Sequence, residues 1–251
     1  ARWANHRESS AATFGRQALG MVWDYCETVP ISSSTGSLSG SIYWVFRVCN
    51  ELAKANLCIG QARQVSAANH TLPDDSASLL FTDPPYYDAV PYANLSDFFY
   101  VWLRKSLNQV LPELFANIET PKIGEAVQLA ERNEIYAYKT KEYFEKLMAE
   151  SFGHARRYVQ KTSLGVIVFA HKNTSAWETL LSAVIKSGWI ITASWSIDTE
   201  MGSRLRAQGS AALASSIHLV CRPRTNDNDI GSWKDVLDDL DKAFKENLGQ
   251  D

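Results

Sequence analysis

Leu79-Leu80-Phe81-Thr82-Asp83-Pro84-Pro85-Tyr86 decides how the rest of the chain reads. Its apolar start has the form of a short buried strand, and two successive prolines, which lack N–H donors, must end any ladder just beyond it. The carboxyl end of a strand is therefore occupied by a rigid turn that carries one acid. Average residue usage puts the tetrapeptide Asp83-Pro84-Pro85-Tyr86 in roughly one chain per thousand of this length.

Downstream, Phe98, Phe99, Trp102, Leu103 and Leu107 recur at helical spacing, with Asn94 or Ser96 as the expected N-cap. A less regular segment runs to about residue 138. Tyr143, Phe144, Leu147, Met148, Phe152, Ala155 and Val159 then mark an amphipathic helix that leads into Val166-Ile167-Val168-Phe169-Ala170, a run suited to a central parallel strand. Ser175-Ala176-Trp177-Glu178 has the form of a capping box, and Gly188 is placed to end the helix it opens. Strands are expected over 189–197 and 217–221, with a long polar loop between them, and a last amphipathic helix from Ser232.

Upstream, Ile42, Val45, Phe46, Cys49 and Leu52 predict a helix over 39–56, and Leu57-Cys58-Ile59 a short strand. A short helix is expected over 18–25. The alternation of strands and helices implies an α/β layered sheet. Three segments follow: a helical one over 1–56, the sheet-bearing part over 57–224, and a terminal helix over 225–251.

Composition narrows the class. The 251 residues, 45% hydrophobic and 21% charged, suffice for a substantial core in a globular protein. No apolar run reaches the ~20 residues that span a bilayer, and the first residues lack a signal-peptide layout, so the cytoplasm is the expected location. The net charge of -3 argues against coating nucleic acid through bulk positive potential, yet a local basic groove is compatible with it. Cys26, Cys49, Cys58 and Cys221 form no C-x-x-C pair, so no metal site is expected and buried free thiols are the ordinary reading.

In an open α/β sheet, ligands bind beyond the carboxyl ends of the strands. An exocyclic base amine is a poor nucleophile because its lone pair is delocalised into the ring, so a transferase must hold its N–H bonds with acceptors as the nitrogen becomes tetrahedral. Asp83 supplies a carboxylate and Pro84 a fixed backbone carbonyl, while Pro85 completes the rigid turn; preorganised acceptors of this kind stabilise developing charge. Tyr86 offers a ring for stacking an extruded base, worth ~1–3 kcal/mol, and Tyr87 is a further candidate contact. His171-Lys172 follows the central strand, which places Lys172 at the same edge for a phosphate or the base. Arg204, Arg206 and Gln208 make the 198–213 loop a basic segment suited to phosphate or base-edge contacts. Trp195 is expected to pack in the core.

Asp83-Pro84-Pro85-Tyr86 resembles motif IV of the N6-adenine and N4-cytosine amino-methyltransferases, and the string from Thr82 to Tyr92 is similar to large adenine-specific DNA methylases that contain a Zn-ribbon. Phe14-Gly15-Arg16-Gln17-Ala18-Leu19, Met21-Val22-Trp23-Asp24, the segment from Asn94 to Leu103, Ala176-Trp177-Glu178, Ser194-Trp195, Asp198-Thr199-Glu200 and Leu219-Val220-Cys221-Arg222 extend the likeness over about 14–224. The resemblance implies a Rossmann-like class I S-adenosyl-L-methionine-dependent methyltransferase fold, methylation of adenine N6 in DNA, and a cofactor pocket touching Asp83.

The chain also departs from that pattern. The family's Gly-rich cofactor turn would precede this region, and none of the 13 glycines has its spacing. The zinc-binding cysteines are missing, and Gln61 stands where an acidic residue often meets the cofactor adenine. The expectation is a fold without its N-terminal cofactor-loop strands, completed by an N-terminal half that carries the loop. RNA is an alternative substrate, and a non-catalytic nucleic-acid-binding fragment is the rival reading. A dinucleotide-dependent oxidoreductase would need the same missing Gly-rich turn.

Overall fold

The structure, a computed structural model, describes residues 37–55, 57–132, 134–198 and 215–225, short pieces at 2–4, 9–11 and 31–33, and single positions 23, 27, 29, 232 and 239. The helices expected over 18–25 and beyond Ser232 lie outside the described residues. The chain divides into two units, and the peptide bond between Pro84 and Pro85 is one of the places where it passes from one to the other.

The sheet-bearing unit comprises Ala67–Pro84, Glu145–Thr199 and Ser215–Asp251. Its strands are β3 (Ala77–Thr82), β4 (Val159–Phe169), β5 (Trp189–Asp198) and β6 (Ser215–Pro223), in the order β3-β4-β6-β5. β3 and β4 run parallel with Thr82 opposite Ile167, and β6 runs antiparallel to both β4 and β5. β4 is thus central, as its apolar run predicts, but parallel on one side only. It is also longer than expected, because an irregularity between Ala77 and Leu79 lets the pairing reach back to Val159. This mixed layered sheet is α/β and Rossmann-like, as expected.

Period-2 alternation sorts the sheet's two faces. Gly165, Ile167 and Phe169 of β4, with Leu219 and Cys221 of β6, are buried on one face. There Phe169 meets the Trp177 ring edge-on at 4.8 Å, and Trp189 donates from Nε1 to the Phe152 carbonyl at 2.9 Å. Those partners belong to α4 (Thr174–Lys186) and to α3 (Lys141–Tyr158), whose part from Glu145 onward lies in this unit. Leu79, Phe81 and Trp195 stand exposed on the opposite face. Trp195 is 64% exposed, which corrects the expectation that it packs in the core. Alternation places it beside His218, opposite the helix-covered face.

Gly165 is where close packing excludes a side chain. A Cβ there would stand 2.8 Å from a carbon of the buried Trp189 ring. Gly165→Ala should therefore destabilise the fold by about 1–3 kcal/mol through overpacking, read as a lower midpoint in denaturant. An unchanged midpoint would show that the Trp189 ring yields freely.

α4 stops just before Gly188, whose φ of +82° suits glycine, as the sequence anticipates. Its start differs from the expected capping box. Asn173 is the N-cap, accepting from Ser175 N at 2.9 Å, because it already has the extended backbone that a cap requires.

The other unit comprises Ala1–Ser66, Pro85–Phe144 and Glu200–Ala214. It holds the two-stranded pair β1 (Arg2–Ala4) and β2 (Ser9–Ala11), α1 (Leu38–Lys54), α2 (Tyr92–Leu107), a 3-10 turn at Glu134–Tyr136 and the first turn of α3. α1 matches the expected helix, capped by the Ser37 hydroxyl. Leu57-Cys58-Ile59 does not form the expected strand. The run is irregular and exposed, since three apolar residues before a glycine find no partner strand among the described residues. Cys49 and Cys58 are exposed, so among the described cysteines the expected burial holds for Cys221, whose thiol it pushes up to about 11, and Cys26 lies outside the described residues. Among the described residues no helix is long and apolar enough to cross a membrane.

Candidate active site at the carboxyl edge of the sheet

β3, β4 and β5 all point the same way, because β6 reverses direction between β4 and β5. Asp83, His171-Lys172 and the end of β5 at Asp198 therefore lie along one edge of the sheet, where β6 begins at Ser215. This is the edge at which open α/β sheets bind ligands. Arg204 and Arg206 lie outside the described residues.

Asp83 is exposed just past the last residue of β3, and Pro84 after it is buried. Among the described residues no ion pair or hydrogen bond engages the Asp83 carboxylate, and none is donated to the Pro84 carbonyl. A charged acceptor and a neutral one thus follow one another where the ladder stops. Lys172 is exposed on the same edge, and its neighbour His171 is built into the start of α4. The His171 Nδ1 accepts from Asn173 N at 3.0 Å, and its carbonyl accepts from Trp177 Nε1 at 2.8 Å.

The downstream arm of the motif belongs to the other unit. Pro85 and Tyr86 are half-buried, and Ala89 N donates to the Tyr86 carbonyl at 2.8 Å to close a turn. Tyr87 occupies that turn with φ +53°, a left-handed conformation that costs a bulky residue about 1–3 kcal/mol. Its N donates to the Pro85 carbonyl at 3.1 Å, its carbonyl accepts from Gln128 N at 3.0 Å, and its ring meets Phe144 edge-on at 5.4 Å. Burial raises the Tyr87 phenol above its usual value, with Asp88, Glu131 and Glu142 adding to the effect. Gln61 lies exposed in irregular chain, its amide oxygen 3.5 Å from Arg63 Nη2.

Among known proteins, three solved structures of TTHA0409 from Thermus thermophilus, provisionally assigned as a DNA modification methylase, are similar to this chain. The selenomethionine form matches at 11% identity and TM-score 0.32 over 65% of this chain and 51% of its own. The unsubstituted form matches at 12% and 0.32 over 65% and 52%. The form complexed with S-adenosyl-L-methionine matches at 12% and 0.33 over 64% and 51%. The chain spans about half the length of these proteins. No family model and no curated protein matches it.

Sequence reasoning passed over the residues that hold the motif's downstream arm. Glu125 Oε1 accepts from Ala93 N at 2.9 Å, so it does for α2 what the expected Asn94 or Ser96 caps do not. The residue at the cap position is Pro91, which has no side-chain acceptor. Lys139, fully buried, donates to the Lys122 carbonyl at 2.6 Å and lies 3.6 Å from Glu125 Oε2. These groups sit in chain without hydrophobic period, which gave sequence reasoning no signal to find them.

Proposed function

We propose that this chain is the base-handling part of an S-adenosyl-L-methionine-dependent amino-methyltransferase whose substrate is adenine N6 in DNA. One observation carries the reading: an exposed carboxylate and a backbone carbonyl, neither engaged by a described donor, follow one another at the carboxyl end of a parallel strand. Asp83 and Pro84 accept the two amine hydrogens, and Pro85 keeps the turn rigid. Tyr86 stacks on the extruded base, with Tyr87 behind it. Lys172, Arg204 and Arg206 take backbone phosphates. Residues 57–224 form the catalytic part, flanked by 1–56 and 225–251.

When bound, the donor supplies a methyl group on a sulfonium, which is already an activated leaving group. The residues here fit the amine side of the reaction, with Gln61 and Asp83 the candidates for the donor's near side. They do not supply the Gly-rich turn that cradles such a donor, since no spacing of the 13 glycines provides it. That turn is proposed to come from an N-terminal half. The same shortage favours the second reading, a nucleic-acid-binding fragment without transfer activity.

The deciding experiment measures labelled methyl transfer from S-adenosyl-L-methionine to adenine-containing DNA and RNA oligonucleotides, together with oligonucleotide binding. N6-methyladenine formed in DNA supports the proposal. Binding without transfer favours the fragment, and neither binding nor transfer overturns both. Tyr86→Ala should weaken oligonucleotide binding by roughly 5- to 150-fold, the equivalent of ~1–3 kcal/mol of stacking. Unchanged affinity in a binding titration would remove Tyr86 from the base pocket.

A further inference from the structure

Four contacts among the described residues fasten a second segment of the Pro85–Phe144 stretch to the motif's downstream arm. Gln128 N donates to the Tyr87 carbonyl at 3.0 Å, and Arg132 pairs with Asp88 at 2.9 Å. Glu125 accepts from Ala93 N at 2.9 Å, and Tyr136 OH lies 3.3 Å from Asn94 Oδ1. All four attachments depend on how 122–139 is itself folded.

Lys139 organises that segment from within. Its Nζ reaches back to the Lys122 carbonyl, faces Glu125, and lies 5.1 Å from the centre of the Tyr136 ring. Its own carbonyl accepts from Leu129 N and Ala130 N at 3.0 and 3.2 Å, just after Gln128. A fully buried ammonium is costly and persists only when paired and hydrogen-bonded. Here its partners include both Glu125 and Tyr136, two of the four attachment residues. Burial lowers the Lys139 ammonium from its usual range, and Glu125 opposes the shift.

We infer that Lys139 is a positioning residue: it braces residues 122–139, which in turn hold Tyr86 to Asn94 in the conformation that receives the base. The inference rests on the proposed function for its last step, and on contacts within one unit for the rest.

The test uses the full chain carrying Lys139→Met, and Lys139→Met with Glu125→Gln so that no unpaired buried charge prevents folding. Hydrogen exchange at Gln128 and Ala93 should accelerate about tenfold, the equivalent of a lost hydrogen bond, with the β4 and β6 amides unchanged. On adenine-containing DNA, KM should rise about tenfold with kcat nearly constant. Acceleration throughout the chain, no acceleration in either variant, or local acceleration with an unchanged KM overturns the inference. If the wild type transfers no methyl group, the proposed function fails on that ground, and the exchange result alone decides whether Lys139 braces the motif.

Discussion

Asp83→Ala is expected to slow methyl transfer by about 10²- to 10³-fold, by analogy with removing one preorganised hydrogen-bond group from an active site. Oligonucleotide affinity should stay within a few-fold. The difference follows from when the carboxylate acts. A ground-state amine is planar and already satisfied by water or by its pairing partner, so the carboxylate adds little to binding. As nitrogen turns tetrahedral, its hydrogens become more acidic and need acceptors in fixed directions. Pro84 keeps its carbonyl in the variant, so some rate survives. Because no described residue bonds to the Asp83 carboxylate and the side chain is exposed, the substitution should leave stability nearly unchanged. That separates a chemical defect from a folding one. Single-turnover rates at saturating DNA measure the effect, and a variant as fast as the wild type would end the assignment of Asp83.

The elements that the sequence made legible are those whose burial repeats with a period. α3 and α4 read from stripes such as Phe144, Met148, Phe152 and Ala155, and β4 from its uninterrupted Val-Ile-Val-Phe run. The end of β3 at Thr82 was legible because two prolines fix where a strand must stop. Trp195 was misplaced for a definite reason: alternation divides a strand's residues between two faces without saying which face the helices cover. Leu57-Cys58-Ile59 shows the complementary limit, since a short apolar run becomes a strand only when a neighbour offers it a ladder. The brace through Glu125, Gln128 and Lys139 was illegible because it is made of side-chain and main-chain hydrogen bonds between loops, which impose no spacing on the sequence.

The largest loss of stability is expected at Trp189. Its ring is fully buried against Gly165 on the adjoining part of the sheet, and its N–H is satisfied by the Phe152 carbonyl of α3. Trp189→Ala removes a large apolar surface and leaves a cavity, at a cost of about 3–5 kcal/mol. For a chain of this size that corresponds to a fall in Tm of roughly 6–20 °C. Trp189→Phe retains most of the ring and loses the hydrogen bond, so it should cost about 1–2 kcal/mol. The same packing predicts a coupling. Gly165→Ala overpacks the wild type because its methyl group meets the indole, but in the Trp189→Ala background that methyl group enters the vacated space and should become neutral or stabilising. Denaturant unfolding of the two single variants and the double variant measures the interaction as a thermodynamic cycle. Additive costs would mean that the indole does not rest on Gly165 in solution, and the close packing of β4 against α3 through Trp189 would have to be abandoned.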